Sequence, residues 1–404
     1  MENNVHLLSI PDEYSAIRYL KKIGVAPQGI ELMSPKCVHH CIQVEGVDKR
    51  AANILKQEML ALGGETAIPW SAFMLSSEVC NVILIGTRKQ FLLLIKKLNR
   101  QPFGLKSVGT QINEVLENYQ KTEFCFKARE NTLRLGNRTL IMGVLNATPD
   151  SFSRDGIYKK PQKAIDYAMK MLDQGADLID VGGESTRPGA NVTSAEEELN
   201  RVLPIIKGLR KMTSALISVD TYKHQVARQA LEEGADIIND VTGTNYDPDI
   251  LPIIKDYGAG LVIMHSPNPP EIMHQPHHYD NLISEIISHL RKVIAKASAA
   301  GVSQERIIID PGIGFGKTVS QNFIILKNLE SFKSLGRPIL IGTSRKSFIG
   351  KTLNQSVDER LFGTCTTVAA AIFNGAQIIR VHDPAVIKDV AIIADTINNA
   401  GVEV

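Results

Sequence analysis

A charge imbalance is what this chain most plainly lacks: 45 lysines and arginines stand against 43 aspartates and glutamates, for a formal net charge of +2. Nothing global therefore draws it to nucleic acid or to an acidic membrane surface, and any attraction for anions must be local. Long apolar runs are missing too. No stretch reaches the roughly 18 residues that a membrane helix needs. The opening MENNVHLLSIPDEYS has no basic segment followed by an apolar core, so it does not read as a secretion leader. Cysteine is scarce, and five residues without a regular framework suit a reducing interior. The expected location is the cytoplasm, with neither nucleic acid nor membrane as a partner.

What is present is an ordinary globular balance, 44% hydrophobic and 22% charged, in a chain of 404 residues. That length accommodates a barrel plus a smaller domain. From Leu140 onward, short aliphatic runs alternate with longer helical patterns: TLIMGVLN (139–146), DLIDVGGES (177–185), ALISVD (215–220), DIIND (236–240), GLVIMH (260–265), RIIIDPG (306–312), PILIGTS (338–344) and QIIRVHD (377–383). Near-continuous apolar strands are the mark of a parallel sheet buried on both faces. Three of the intervening stretches end in Gly-Ala (Gly175-Ala176, Gly234-Ala235, Gly375-Ala376), where glycine closes a helix. Eight strand–helix units predict a (β/α)8 TIM barrel rather than a doubly wound sheet.

The first part of the chain differs in kind. CIQVEGVDKRAANILKQEMLALGGETAIP reads as strand, helix, Gly-Gly turn and strand, and CNVILIGTRKQFLLLIKKL as a second strand–helix pair. A small α/β accessory domain is expected over 1–126, with no assigned role, and the barrel over 127–404. The polar KARENTLRLGN between them is expected to enter the barrel as a β-ribbon or bottom cap.

Reactive groups in a β/α barrel sit at the C-terminal ends of the strands and in the loops that follow. Here those positions hold Asn146, Glu184 to Arg187, Asp220, Asn239 and Asp240, His265, Asp310, Ser344 to Ser347, and Arg380 with His382. Any one of them could be only the N-cap of the next helix; a polar group in register after every strand is hard to explain that way. Asp310 has a plain alternative as a turn residue, because Pro-Gly follows it, and His382 alone would read as a satisfied core histidine. Arg380 and His382 alternate in period two and so project to one side of the last strand.

The motifs NATPDSFS, DVGGESTRPGA, SVDTYK, INDVTG, DPGIGFGKT, GTSRKSFIG and RVHD resemble, in this order, the successive motifs of dihydropteroate synthases. The resemblance implies a pterin set of Asp220, Asn239, Asp310 and Lys346, with Met264 and Phe315 packing the ring faces. It implies a p-aminobenzoate pocket of Phe152, Thr186, Arg187, Pro188, Arg345 and Ser347. Asn146, Arg380 and His382 would hold the pyrophosphate, with Asn146 also touching Mg²⁺. The catalytic residues would be Asp220, Lys346, Arg380, His382 and Asn146, in a homodimer whose partners are otherwise small molecules. Chemistry agrees with the pterin set: carboxylates and an amide suit the flat donor–acceptor edge of a reduced pterin.

Departures from the family pattern are few. The first loop reads SFSRDGIY where SFSDGG is usual, the loop HSPNPPEIMHQPHHYD is rich in Pro and His, and Gln321-Asn322 stands where His-Asn is commoner. His274, His277 and His278 read as a solvated loop rather than a metal site, and Cys37 to Cys41 lacks the geometry for zinc. Two other readings stay open: a methyltetrahydrofolate–corrinoid methyltransferase, which has no use for an anion clamp, and a non-catalytic pterin-binding sensor.

Overall fold

The computed structural model of the protein describes residues 4–72, 78–148, 161–185 and 192–400. The chain divides into two compact units, Met1–Gln120 and Lys121–Val404.

In the first unit, α1 (Glu13–Lys22) and α2 (Pro27–Cys37) precede β1 (His39–Asp48), α3 (Lys49–Ala61), β2 (Glu65–Ala67), β3 (Val79–Thr87), α4 (Arg88–Leu98) and α5 (Leu105–Gln120). The strands form an antiparallel sheet in the order β1-β3-β2. Local sequence explains the helix starts. Asp48 accepts from the Arg50 N–H at the head of α3, and Thr87 and Gln90 form a reciprocal capping box at the head of α4. Helical spacing then buries Leu55 and Met59 of α3, Phe91, Leu94 and Leu98 of α4, and Ile112 and Leu116 of α5 in one core with Val82 and Leu84.

The second unit opens with the hairpin β4 (Phe124–Ala128) and β5 (Asn131–Leu135). This is the ribbon expected from KARENTLRLGN, beginning a few residues earlier. It closes the bottom of the barrel, where Phe126 and Leu135 pack among the first inward residues of the strands. A Cβ at Gly260 would come within 2.5 Å of the Phe126 ring, so glycine is needed there.

All eight expected runs are strands: β6 (Leu140–Asn146), β7 (Leu178–Gly182), β8 (Leu216–Asp220), β9 (Ile237–Asp240), β10 (Gly260–Met264), β11 (Ile307–Asp310), β12 (Leu340–Ile341) and β13 (Ile378–Val381). They are parallel neighbours in the order β11-β10-β9-β8-β7-β6-β13-β12, and a parallel bridge between Ile309 and Ile339 closes the ring. β12 is shorter than its run because Pro338 has no N–H to give and Gly342 begins the turn into the site. The enclosing helices are α6 (Pro161–Asp173), α7 (Ala195–Met212), α8 (His224–Glu232), α9 (Ile250–Tyr257), α10 (Leu282–Ala299), α11 (Val319–Lys327), α12 (Ser347–Leu353), α13 (Leu361–Phe373) and α14 (Pro384–Asn398). Gly175, Gly234 and Gly375 all take positive φ after their helices, the conformation that ends a helix without a Cβ penalty.

Candidate active site

Period two along each strand sorts the barrel interior into layers. The lowest takes one apolar residue from every strand: Met142, Leu178, Leu216, Ile237, Val262, Ile308, Leu340 and Ile378. Two residues further along, the same faces carry Val144, Asp180, Ser218, Asn239, Met264, Asp310, Gly342 and Arg380. Another two steps bring Asn146, Gly182, Asp220, Ser344 and His382 to the rim. The interior therefore changes from oil to charge within about 7 Å of rise.

Arg380 organises this layer. Its Nε donates to Asp180 Oδ2 at 2.7 Å and its Nη2 to Asp220 Oδ2 at 2.9 Å. Asn239 Nδ2 donates to the same Asp180 oxygen at 3.0 Å. Asp180 is fully buried, and its Oδ1 has no partner among the described residues. Lys346 Nζ donates to the Ile313 carbonyl and lies 4.8 Å from the centre of the Phe315 ring. Asp310 Oδ1 accepts from the Gly312 N–H at 2.7 Å, in a loop where Gly312, Gly314 and Gly316 all have positive φ. The turn reading of Asp310 and the ligand reading are thus compatible: one oxygen braces the loop.

Burial sets the electrostatics. It pushes the Asp220 carboxyl well above the usual range, with Arg380 pulling the other way and Asp180 adding repulsion. Burial likewise raises Asp310, against the attraction of Lys346. The Lys346 ammonium is lowered by burial to about 8, although Asp310 favours its charged form. Met264, Met273, Phe315, Tyr222 and Val241 form a small apolar cluster beside these groups. A flat ring with a polar edge would meet carboxylates and an amide along its rim and this cluster on its face.

Several expected residues stand differently from their first reading. His382 does lie on the same face as Arg380, but its Nδ1 contacts Ser344 Oγ at 2.9 Å while Arg380 turns to the two aspartates. The Arg345 guanidinium makes two bonds to Asp383, at 3.0 and 2.6 Å, and its φ is +56°. Ser347 is exposed in the first turn of α12, where the cap position belongs to Lys346, so neither Ser344 nor Ser347 is the N-cap. Asp240 braces its own loop, accepting from Thr242 and Thr244. Of the histidine-rich loop, His277 and His278 are exposed, but His274 is half-buried and stacked on Phe315 at 5.2 Å. Phe152, Thr186, Arg187 and Pro188 lie outside the described residues, as does Arg154.

The pterin-binding enzyme family model matches residues 142–382, which is the barrel from its first strand to the residue after its last. The chain belongs to the dihydropteroate synthase family. The Clostridium beijerinckii dihydropteroate synthase is 46% identical over 258 residues, covering 64% of this chain and 93% of that one. The Xanthomonas albilineans dihydropteroate synthase, solved with 4-aminobenzoic acid, has 37% identity and a TM-score of 0.64, covering 70% of this chain and 100% of that one. The Yersinia pestis dihydropteroate synthase, solved with a sulfonamide drug, gives 37% and 0.65, covering 68% and 100%. A Halobacterium salinarum protein described as a probable bifunctional folylpolyglutamate synthase/dihydropteroate synthase is 40% identical over 364 residues, 90% of this chain. This chain spans only 43% of that protein. The likeness extends beyond the barrel, since 364 residues exceed the 284 from Lys121 to Val404.

Asp180, Ser218 and Lys317 were missed by the reading of strand ends. Asp180 and Ser218 lie inside their strands rather than after them. Counting by two from Leu178 and Leu216 would have placed both facing inward.

Proposed function

We propose that the inner polar layer of the barrel condenses 6-hydroxymethyl-7,8-dihydropterin pyrophosphate with p-aminobenzoate, giving 7,8-dihydropteroate and pyrophosphate. The supporting observation is the juxtaposition of Asp220, Asn239, Asp310 and Lys346 with the Met264–Phe315 cluster on one inward face. Asp220, Asn239 and Asp310 would meet the donor–acceptor edge of the pterin, and Lys346 its ring carbonyl or N5. Met264 and Phe315 would pack the ring faces.

In the reaction the bond from the pterin 9-methylene carbon to oxygen breaks and its electrons leave with pyrophosphate. The amine nitrogen of p-aminobenzoate then bonds to that carbon and loses a proton. Arg380 and His382 would stabilise the departing anion, and ionised Asp220 the cationic pterin left behind. Arg380 already carries two carboxylate partners, so pyrophosphate would have to share its guanidinium with them or replace one. Ser347 would take the p-aminobenzoate carboxylate. The same pocket, with Phe152, Thr186, Arg187, Pro188 and Arg345 assigned to it by resemblance, would accept sulfonamides.

Asn146 Oδ1 is the donor that would touch Mg²⁺. Gly182 adds no side chain beside it: the nearest atoms to a Cβ built there are Asn146 Oδ1 at 3.5 Å and Asp220 Cβ at 3.6 Å, ordinary contact distances. One amide oxygen suits an ion held mainly by phosphate and water. When bound, Mg²⁺ would supply charge neutralisation of the pyrophosphate.

The enzyme would be cytoplasmic; no helix among the described residues is long and apolar enough to cross a membrane. It would form homodimers through α13 and α14, which expose Phe362, Phe373, Ile392, Ile393 and Ile397. The decisive experiment supplies purified protein with both substrates and Mg²⁺. Pyrophosphate and dihydropteroate should appear in equal amounts, and no release of pyrophosphate would sink the reading.

A further inference from the structure

Lys317 is a buried titratable side chain with no part in the mechanism. It is 7% exposed, and its amine's hydrogen-bond partners among the described residues include no carboxylate, Asp310 acting on it only at a distance. Its Nζ donates instead to the Phe315 carbonyl at 2.8 Å and to the His265 carbonyl at 3.4 Å, and it meets His265 Nδ1 at 3.1 Å. The amine thus meets three polar atoms, two of them main-chain carbonyls. Burying an amine without a counter-ion opposes folding, so stability is a poor reason to keep one. Burial in fact lowers this group to about 7, with Asp310 resisting the shift and Lys346 adding to it.

What the amine holds is more informative than what it costs. His265 follows Met264 at the end of β10, and Phe315 lies in the loop after β11. The two loops approach so closely that a Cβ at Gly312 would sit 2.0 Å from the His265 carbonyl. Lys317 ties both main chains together at that approach. The Phe315 ring it anchors lies beneath the Lys346 amine and against the His274 ring. His265 is buried, and its pKa falls well below the usual value through burial and then the charge of Lys317. That shift favours the neutral imidazole, whose Nδ1 faces the Lys317 amine.

We propose that Lys317 is a positioning residue for the pterin half of the site, clamping the His265 and Phe315 main chains so that Met264, Phe315 and Lys346 hold their places. This rests on the assignment of Met264 and Phe315 to the pterin. Lys317 itself touches no reacting atom.

The full chain carrying Lys317→Met is compared with the unaltered chain for binding of 6-hydroxymethylpterin, which probes the pterin half alone, and for both KM values. Pterin affinity should weaken about tenfold, and KM for the pterin substrate should rise with it, while KM for p-aminobenzoate stays within about twofold, the scale expected when a binding wall shifts by a fraction of an ångström. Lys317→Arg, whose planar fork cannot reproduce three converging donors, should not restore affinity. Should the Met variant not fold, His265→Leu and His265→Asn provide the second arm. The Asn oxygen keeps an acceptor near Nδ1 and should retain pterin binding, whereas Leu should lose it. Unchanged pterin affinity in Lys317→Met, or equal loss for both substrates, overturns the proposal. Failure of the unaltered chain to bind 6-hydroxymethylpterin overturns the pterin assignment beneath it instead.

Discussion

The two units of this chain are both built from strands and helices, yet they treat buried charge in opposite ways. Among the described residues of the first unit, the buried polar side chains are Ser34 and Thr66, neither of them ionisable. Its most enclosed ion pair, Arg88–Glu13, keeps about a fifth of each side chain exposed, whereas in the second unit Asp180, Asp310 and Lys317 are buried outright and the partly buried Asp220, Lys346 and Arg380 crowd the same end of the barrel. Desolvating a charge costs several kcal/mol unless it is paired and hydrogen-bonded, so a fold carries such a cluster only where something uses it. The second unit gives up stability for a site.

That contrast can be broken most severely at Asp220 and Lys346. Asp220→Asn and Lys346→Met should each lower kcat/KM by about 10³-fold with the fold retained, as steady-state kinetics and circular dichroism together would show. The complementary change is Phe91→Ala in the first unit. It should cost about 3–5 kcal/mol of that unit's stability by denaturant unfolding, and leave kcat unaltered. A fall in kcat with the protein still folded would mean that the first unit takes part in turnover.

A smaller effect tests the residue that the strand-end reading overlooked. Asp180→Asn keeps the shape but removes the charge that holds Arg380, and should reduce kcat/KM by about 10²-fold, chiefly through the pterin pyrophosphate. The pH profile is a milder perturbation. Lys346 is cationic only while protonated, and its pKa is lowered to about 8, so kcat/KM should fall as pH rises through that value and the charge-assisted bond to the pterin is lost. Asp220 acts as an anion and is shifted upward, which places the acidic limb above the ordinary carboxylate range. Lys346→Arg, whatever its rate, should show no basic limb near 8. The smallest effect is expected for Cys37→Ser with Cys41→Ser in the first unit: no change in bound zinc by elemental analysis and none in rate.

The fold was legible because its signals are local. Eight aliphatic runs, three Gly-Ala helix ends and a polar ribbon needed only periodicity and turn chemistry to interpret, and each was found in place. Asp220, Asn239 and Asp310 were legible for a related reason: a polar residue closing an aliphatic run stands out against it. Asp180 did not stand out, since in DLIDVGG it lies within the run, and only the inward parity of Leu178 reveals it. Lys317 was hidden in a glycine loop whose other members drew attention, and its role depends on a carbonyl 52 residues away.

Sequence alone therefore determined the number and order of the strands, the direction in which each alternate side chain points, and the chemical types available at the rim. Tertiary structure alone decided the pairings. Arg380 meets Asp180 and Asp220 across 200 and 160 residues, and Arg345 is taken by Asp383 rather than left beside Ser347. The physical reason is the closure of the barrel. Which strand lies opposite which is set by the ring of hydrogen bonds and its stagger, a property of all eight strands at once that no single segment encodes.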